Sequence, residues 1–349
     1  MSVAEIREAV RADGLLAQAP AVVAMLSGGR DSVCLLDLAV ALRGGGAVSA
    51  LHVNYRLRED ADADERHCAQ LCEALGVELS VVRAEGAPDA AAAAAGPIAS
   101  GAPEGAGGTA SGAPGNLQAW ARDVRYCAAR AEAERRGAWI ATGHTASDQV
   151  ETILYRLAAS PGRRALLGMA AAQGRLIRPL LAVTREQTAA YCVERGLRWR
   201  EDSSNEDERY ARARVRSGLV PALRAVHPAA ESNVLRTAQL LREETELLDG
   251  LVAAELADGA QISLARLAEL PAALARMVVV RLAEEAAGTY VPQAGERVGE
   301  LLALGARGGR AELHLGALAA AVIDGGVLSM RRLAPGETSE RRRAPPGAD

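Results

Sequence analysis

The hexapeptide Ser27-Gly28-Gly29-Arg30-Asp31-Ser32 places two hydroxyls, two adjacent glycines and one carboxylate within six residues. The apolar run 21–26 before it has the length of a strand, and apolar residues at helical spacing follow it over 33–42. A strand, a glycine turn and a helix in this order aim backbone N–H groups and the positive end of a helix dipole at one point, which favours an anion such as phosphate. The alternative is a tight turn in which Asp31 or Ser32 only caps the helix.

The spacing of this turn excludes two common phosphate-binding motifs. The Walker loop needs four residues between its glycines followed by Lys and Ser or Thr, and the dinucleotide fingerprint needs three spaced glycines. All 40 basic residues of the chain are Arg, so any cationic phosphate contact must come from guanidinium groups.

A second group of polar residues follows the strand-like stretch 139–142. His144, Asp148 and Glu151 are spaced four and three apart, so they share one face of a helix if His144 opens that helix. A histidine beside two carboxylates could bind Mg²⁺, orient a ligand or carry protons. The alternative is a helix-capping cluster, because Thr145 and Ser147 also suit a helix start.

These residues require a scaffold that brings them together. Strand-like and helical stretches alternate along the first 200 residues, with strands predicted near 21–26, 48–53, 77–84, 139–142 and 175–181. This alternation predicts a parallel sheet with crossover helices, in which ligands bind at the carboxyl ends of the strands. His52 and Asn54, and the Arg178-Pro179 pair, also follow predicted strands and join the candidate site.

The sequence divides into regions of different composition. Residues 85–115 are almost entirely Ala, Gly, Pro and Ser and predict a long flexible loop inside a catalytic domain spanning 1–204. An Arg-rich helix is predicted over 205–228, followed by a smaller domain over 229–334, with helices near 229–257, 269–287 and 293–305 and a strand-like end, and by a disordered tail over 335–349. The Arg-rich helix is either a solvated face or a contact with a phosphate backbone.

Composition limits the class of protein. Of 349 residues, 49% are hydrophobic and 24% charged, which is typical of a globular protein of this length. No apolar stretch reaches the roughly 18 residues of a membrane span, and the start of the chain predicts an amphipathic helix instead of a signal peptide, so we expect a cytoplasmic protein without a membrane partner. The five cysteines are scattered, which favours buried thiols over a metal cluster or a disulfide framework.

The turn Ser27–Ser32 resembles the PP-loop of the N-type ATP pyrophosphatases. Further stretches resemble, in order, the landmarks of the tRNA(Ile)-lysidine synthetase family: "LHVNYRLR", "NLQAWARDVRY", "ATGHTASDQVETILYRL", "RRALLGM", "RPLL" and "EDSSNEDERYARARVRSGLVPAL". The resemblance covers most of 21–224 and continues more weakly in "LPAALARMVVVRLAEEA" and "GGRAELHLGALAAAVIDGGVLSM". The chain departs from the family pattern at Tyr55, Arg56, Gln118, Ala159 and Ala213.

This resemblance implies an α/β, Rossmann-like PP-loop domain with a parallel sheet, of the adenine nucleotide α-hydrolase-like type, followed by a smaller, mostly helical domain. It implies ATP-dependent ligation of L-lysine to C2 of the wobble cytidine in the CAU-anticodon tRNA(Ile), through an adenylated tRNA, with ATP and Mg²⁺ as cofactors. Assembly as a homodimer is left open.

The resemblance also carries roles onto individual residues. The implied catalytic residues are Asp31, which also holds Mg²⁺, together with His144, Asp148 and Glu151. The implied ATP-binding residues are Ser27, Gly28, Gly29, Arg30, Asp31, Ser32, His52 and Asn54. The implied substrate-binding residues are Arg58, Arg122, Arg125, Arg178, Arg209, Arg212, Arg214 and Arg216.

Three other functions fit parts of this pattern. A PP-loop tRNA thiolase would be expected to use paired cysteines, which the scattered cysteines disfavour. A non-catalytic tRNA-binding protein would not need the intact Ser-Gly-Gly-x-Asp-Ser turn. A small-molecule amide synthetase would leave the Arg-rich helix unexplained.

Overall fold

The computed structural model describes residues 1–57, 59–85, 117–159, 162–201, 211–257, 259–316 and 318–334. Candidate residues Arg58 and Arg209, the predicted loop beyond residue 85 and the predicted tail lie outside this described part. The chain folds into two compact units, the first ending at Leu241 and the second beginning at Arg242.

Unit 1 contains strands and helices in the predicted alternation. Its strands are β1 Val22–Met25, β2 Val48–Asn54, β3 Glu78–Arg83, β4 Trp139–Ala141, β5 Ala172–Gln173 and β6 Leu176–Ile177. Its helices span Val3–Ala12, Leu15–Gln18, Arg30–Arg43, Ala61–Leu75, Leu117–Arg136, Ala146–Ala159, Arg163–Leu166, Arg185–Glu194, Ala211–Arg214 and Val220–Val226, with a short 3-10 helix over Gly45–Ala47. We call Arg30–Arg43 the loop helix, Ala146–Ala159 the carboxylate helix and Arg185–Glu194 the clamp helix.

The first sheet has the strand order β3-β2-β1-β4-β6-β5, and β5, at its edge, runs antiparallel to β6. The chain builds outward from β1 to β3 and then returns to place β4 on the other side of β1, with Val22 paired to both Val48 and Trp139. The order therefore reverses between β1 and β4. In open parallel sheets ligands bind at such a switch point, outside the carboxyl ends of the strands.

The sequence of β1 is continuously apolar because the strand is buried on both faces of the sheet. All four residues of this central strand are buried, because helices cover both faces of the sheet. On one face of the sheet, Leu35, Leu36 and Leu38 of the loop helix pack against the strand. On the other face, Ala129 and Ala133 of the helix Leu117–Arg136 pack against it. The loop after β1 is thus fixed on a rigid base.

The first helix, Val3–Ala12, confirms the amphipathic pattern predicted for the start of the chain. Ser2 and Glu5 form a capping box, and Ile6 and Val10 are buried in the core. Within the described part of the chain, no helix combines the length and the apolar character needed to cross a membrane.

The described part of the Arg-rich segment is not a single regular helix. A π-helical turn over Val215–Leu219 separates Ala211–Arg214 from Val220–Val226. The helix that follows, Ala230–Glu255, runs through the division between the two units at Leu241 and Arg242. The predicted boundary lies before this helix, at 228–229, because an unbroken helix carries no local signal of a change of unit.

Unit 2 contains a four-stranded antiparallel sheet in the order β7-β10-β9-β8. Its strands are β7 Gln261–Ser263, β8 Ala311–Gly316, β9 Ala319–Asp324 and β10 Val327–Arg332, and its further helices span Leu264–Glu269, Ala272–Ala287 and Val298–Gly305, with a 3-10 helix over Pro292–Arg297. The helix Ala272–Ala287 packs Val278, Val279 and Leu282 into one core with Ile323 and Leu328. The helices predicted near 269–287 and 293–305 are present, and the strand-like end forms β8 to β10.

Candidate active site

The turn after β1 has the predicted strand–turn–helix form. Gly28 has a φ of +84°, and a Cβ there would also lie 3.3 Å from the Cys68 Sγ. Both the backbone conformation and the lack of space therefore favour glycine at this position. The Ser32 hydroxyl donates to the Gly29 carbonyl at 2.7 Å, and the Gly29 N–H donates to the Ser27 Oγ at 3.3 Å. These bonds hold the turn in one shape before any ligand arrives.

The loop helix begins at Arg30, and Gly29 before it has no side chain with which to cap the helix. The first N–H groups of a helix have no acceptor inside the helix, and the helix dipole adds positive potential at the same end. This end of the loop helix therefore has the geometry of an anion site. Ser27, Gly28, Gly29 and Arg30 lie around it, and the contact with ATP predicted for them stays a prediction.

Asp31 lies in the first turn of the loop helix and is held by the clamp helix. Its Oδ1 accepts a hydrogen bond from the Thr188 hydroxyl, and its Oδ2 lies 3.9 Å from the Arg185 Nε. Burial raises the pKa of Asp31, while the Thr188 bond and the nearby guanidiniums of Arg30 and Arg185 oppose that effect. The carboxylate is thus kept in one orientation beside the turn.

His144 does not share a helical face with Asp148 and Glu151. The carboxylate helix begins at Ala146, because Asp148 Oδ2 accepts hydrogen bonds from both the backbone N–H and the hydroxyl of Thr145, at 2.8 Å each. This capping interaction ends the extended chain after His144, whose Nδ1 lies 2.8 Å from the Thr142 Oγ1. His144 is therefore a residue of the connecting loop.

The connecting loop after β4 lies against the turn after β1. A Cβ on Gly143 would lie 3.0 Å from the carbonyl carbon and oxygen of Asp31 and 3.1 Å from the Ser32 N. Gly143 has no left-handed φ, so its requirement is one of space. No local sequence signal indicates this close approach, since its partner residues are more than a hundred positions away.

Arg185 joins the two polar groups that the sequence predicted separately. Its guanidinium donates to Asp148 Oδ1 at 2.9 Å and to Glu151 Oε1 at 3.1 Å, in addition to its approach to Asp31. Burial would raise the pKa of Asp148, but Arg185, His144 and the Thr145 hydrogen bonds together lower it below its usual value. Arg185 was missed, although a cation in the first turn of a helix opposes the helix dipole and so indicates an acidic partner elsewhere.

The Arg-rich segment contributes to the same face. Glu151 is 4% exposed and accepts from Arg216 Nε at 2.7 Å and Arg216 Nη2 at 3.0 Å, while Arg212 Nη2 donates to the Thr152 hydroxyl at 3.1 Å. Val215 and Val220 pack against the carboxylate helix and fix this arrangement. Arg212 and Arg216 contact the carboxylate helix, and Arg212 and Arg214 are exposed. The substrate contacts predicted for these arginines stay a prediction.

His52 contacts the residue just before the turn, and Asn54 contacts the helix Ala61–Leu75. His52 Nδ1 lies 2.9 Å from the Leu26 carbonyl oxygen, and the Asn54 amide donates to Asp62 at 3.0 Å and to Glu65 at 2.8 Å. Both side chains are buried. Their described contacts are therefore with the protein, and the predicted contact with a nucleotide stays a prediction.

Arg178 is also buried, at 1% exposure, and donates to the Ala170 carbonyl at 2.7 Å. This hydrogen bond is with the protein, and the predicted contact of Arg178 with substrate stays a prediction. Arg122 and Arg125 lie on the helix Leu117–Arg136, and both guanidiniums approach the Tyr126 ring.

All five cysteines are free thiols, and four of them are buried. Burial raises the pKa of Cys68 to about 12 and that of Cys72 to about 11, which keeps both thiols protonated at neutral pH. Among the described residues, no group of three or more His, Cys, Asp and Glu side chains is placed to hold a metal ion. At the turn itself, Asp31 supplies a carboxylate and Ser27 and Ser32 supply hydroxyls.

Comparison with known proteins places this site in a family. The PP-loop domain model matches residues 3–223. The tRNA(Ile)-lysidine synthase of Pseudomonas fluorescens (strain Pf0-1) is 37% identical over 237 residues, which cover 66% of this chain and 48% of that protein. The tRNA(Ile)-lysidine synthase of Nostoc sp. is 34% identical over 255 residues, covering 70% of this chain and 67% of that protein.

The first of these relatives is about twice as long as its matched part, so the chain spans about half the length of the Pseudomonas enzyme. Among solved structures, the U34-tRNA thiolase NcsA from Methanococcus maripaludis aligns with a TM-score of 0.51 at 18% identity, covering 69% of this chain and 78% of that one. At this identity the likeness supports the fold of unit 1 and nothing further.

Proposed function

The chain belongs to the PP-loop family, and from this premise we propose that it ligates L-lysine to C2 of the wobble cytidine in the CAU-anticodon tRNA(Ile). In this reaction ATP is cleaved to AMP and pyrophosphate, and an adenylated tRNA is the intermediate. The curated relatives named above carry out lysidine synthesis according to their names, which supports this choice. These substrates meet in the cytoplasm, where we place the enzyme.

One observation carries the proposal: Arg185 connects Asp31, in the first turn of the loop helix, with Asp148 and Glu151 of the carboxylate helix. The start of the loop helix is the candidate anion site, so this candidate site and the two carboxylates lie close together. The anion site suits the pyrophosphate portion of ATP, through the N–H groups of the turn and the hydroxyls of Ser27 and Ser32. The carboxylates suit a cationic amine. Adenylation followed by amine attack needs both sites near the same cytidine.

In the first step the cytidine C2 carbonyl oxygen attacks the α-phosphorus of ATP, and the bond from that phosphorus to the pyrophosphate oxygen breaks. The turn would stabilise the negative charge that develops on the leaving pyrophosphate. Arg185 lies beside Asp31 and would add positive charge near the same point.

Asp31 fits the ligand chemistry of Mg²⁺, which binds proteins through one or two carboxylates and completes its shell with phosphate oxygens and water. Mg²⁺ bound there would supply positive charge to the phosphates of ATP. Thr188 would keep the Asp31 carboxylate oriented for this purpose.

In the second step the lysine ε-amine attacks C2 and AMP leaves. Asp148 and Glu151 are the candidates to hold the ε-ammonium, with His144 as the partner that orients it or receives its proton. In this structure the two carboxylates bind the guanidiniums of Arg185 and Arg216, which supports a preference of this face for cations. Lysine binding would then require these arginines to share or release the carboxylates.

We assign contacts with the tRNA to arginines of unit 1 and to the predicted second domain. Arg214 is exposed, and Arg122 and Arg125, which are partly buried, lie on the helix Leu117–Arg136. We assign reading of the tRNA beyond the anticodon to residues 229–334, because the methionine tRNA shares the anticodon letters and must be rejected elsewhere.

The decisive assay combines purified protein, ATP, Mg²⁺, radiolabelled L-lysine and the CAU-anticodon isoleucine tRNA, with methionine tRNA as the control. We expect label on the isoleucine tRNA alone, together with release of AMP. AMP release without lysine transfer would overturn lysidine synthesis and leave an adenylating enzyme with another acceptor. Binding of the tRNA without any AMP release would favour a non-catalytic RNA-binding protein.

A further inference from the structure

Three of the nine tyrosine and tryptophan side chains lie together on unit 1, outside the site described above. Tyr55 follows the end of β2, and Trp120 and Tyr126 lie on the helix Leu117–Arg136 together with Arg122 and Arg125. We call these five residues the aromatic cluster. The chain has no phenylalanine, so this grouping holds one third of its nine large aromatic side chains.

The rings of the cluster are fixed and only partly buried. Tyr55 and Trp120 meet edge to face, with ring centroids 6.0 Å apart and planes at 61°, and the Tyr55 hydroxyl donates to the Ala121 carbonyl at 3.0 Å. An edge-to-face pair uses the face of only one of its two rings. The pair therefore does not consume the stacking capacity of both side chains.

Two guanidiniums accompany the rings. The Cζ atoms of Arg122 and Arg125 lie 4.7 and 5.7 Å from the centroid of the Tyr126 ring. The Arg125 Nε is buried and has no hydrogen-bond partner among the described residues. From 117 to 131 this helix carries three arginines and one acid, Asp123, so the surface is positively charged.

The cluster lies at the same sheet edge as the anion site. Tyr55 comes directly after Asn54, the last residue of β2, and β2 pairs with β1, whose end leads into the turn Ser27–Ser32. In a parallel sheet the carboxyl ends of neighbouring strands share one edge. A polymeric substrate with one nucleotide at the turn would thus have its neighbouring nucleotides close to the cluster.

We propose that the aromatic cluster binds an unpaired nucleobase of the RNA substrate next to the reacting nucleotide, by stacking on its rings, with Arg122 and Arg125 contacting the adjoining phosphates. The inference rests on the proposed function. Aromatic rings together with arginines are the combination by which proteins hold unpaired bases, and RNA is read mostly in such unpaired loops. The adenine of ATP is a second nucleobase that could stack on these rings. The test distinguishes binding of an RNA base from binding of adenine.

The test measures binding of anticodon stem-loop RNAs to the full chain. The RNAs are the unmodified loop and a series in which one loop base at a time, other than the wobble cytidine, is replaced by an abasic nucleotide. The variants are Trp120→Leu and Tyr126→Leu, which keep an apolar side chain but remove the aromatic face. Arg130→Gln, which lies on the same helix and leaves the rings intact, is the matched control.

We expect Trp120→Leu or Tyr126→Leu to weaken binding of the unmodified loop about 5- to 100-fold, the range of one stacked base. One abasic position should cause the same loss in the wild-type chain and no further loss in the variant, since both changes remove the same contact. Arg130→Gln should retain the full abasic effect. Unfolding temperature checks that each variant is folded.

If the wild-type chain binds the RNA and the affinity losses from the variant and from the abasic position add, the inference is wrong and the cluster has only a packing role. The proposed function would be unaffected by this result. A variant that binds RNA normally but binds ATP more weakly would overturn it in favour of adenine. A wild-type chain that does not bind the RNA at all would overturn the proposed function as well.

Discussion

Gly143 and Asp31 are in backbone contact: a Cβ on Gly143 would lie 3.0 Å from the Asp31 carbonyl oxygen. The contact joins the loop after β4 to the turn after β1, at the point where the strand order reverses. The carboxylate helix follows that loop directly. The absence of a side chain on Gly143 therefore allows the two loops to lie this close together.

Gly143→Ala should separate these two loops by a few tenths of an ångström or more, because the opposing atoms are backbone. Small displacements of reacting groups cost about 10- to 100-fold in rate, so we expect AMP formation to fall by that order. Gly46→Ala is the control, since a Cβ there meets nothing within 4 Å. Equal turnover of the two variants would show that the close contact does not set the geometry of the reaction.

Thr188 is fully buried and orients the Asp31 carboxylate through its hydroxyl. Thr188→Val removes the hydroxyl at nearly constant volume, and we expect kcat to fall about 10-fold with a higher Mg²⁺ requirement and little change in tRNA affinity. Thr188→Ser retains the hydroxyl and should restore both values. A titration of AMP formation against Mg²⁺ measures the effect, and identical curves for Val and Ser would contradict the orienting role.

Arg214 and Arg216 lie two residues apart and should behave differently. Arg216→Gln removes one of the two guanidiniums that pair with the buried Glu151 and leaves Arg185 in place. We therefore expect a lower kcat and a loss of about 1–2 kcal/mol in the free energy of unfolding. The salt dependence of tRNA binding should be unchanged. Arg214 is exposed, so Arg214→Gln should change the free energy of unfolding by less than about 1 kcal/mol, and it should reduce the slope of log affinity against log salt by about 1. The reverse pattern would restore Arg216 to the phosphate-binding role that the sequence predicted.

Glu132 supplies a pH-dependent contribution to the stability of unit 1. Hydrogen bonds from Arg135, Ser80 and Arg136 outweigh burial and lower the pKa of Glu132 from 4.5 to about 2. A carboxyl with a lowered folded-state pKa stabilises the protein fully above its unfolded pKa, and this contribution is lost as the pH falls towards the folded value.

The difference in free energy of unfolding between the wild type and Glu132→Gln should therefore be constant above about pH 5.5 and shrink between about pH 4.5 and 2. Denaturant unfolding at a series of pH values measures it. Glu134→Gln, at an exposed position of the same helix, is the control and should show no such change. A difference that grows as the pH falls would contradict the assignment.

Local sequence was enough to predict the parts of the fold that depend on neighbouring residues. The apolar run 21–26, the glycine turn and the helix after Asp31 were predicted because strand burial, turn conformation and helix periodicity are local properties. The alternation of elements predicted the parallel sheet for the same reason. The two polar groups were also recognisable by spacing, although the capping of the carboxylate helix by Thr145 placed His144 outside it.

The contacts between the two polar groups of the site are decided by the tertiary structure alone. Thr188 reaches Asp31 across 157 residues, and Arg185 connects Asp31 with two carboxylates that belong to another helix. The pairing of Arg216 with Glu151 and the contact of Gly143 with Asp31 likewise depend on strand order and helix packing. Such contacts arise because a sheet places residues side by side regardless of their separation along the chain, and no local pattern of side chains encodes that adjacency.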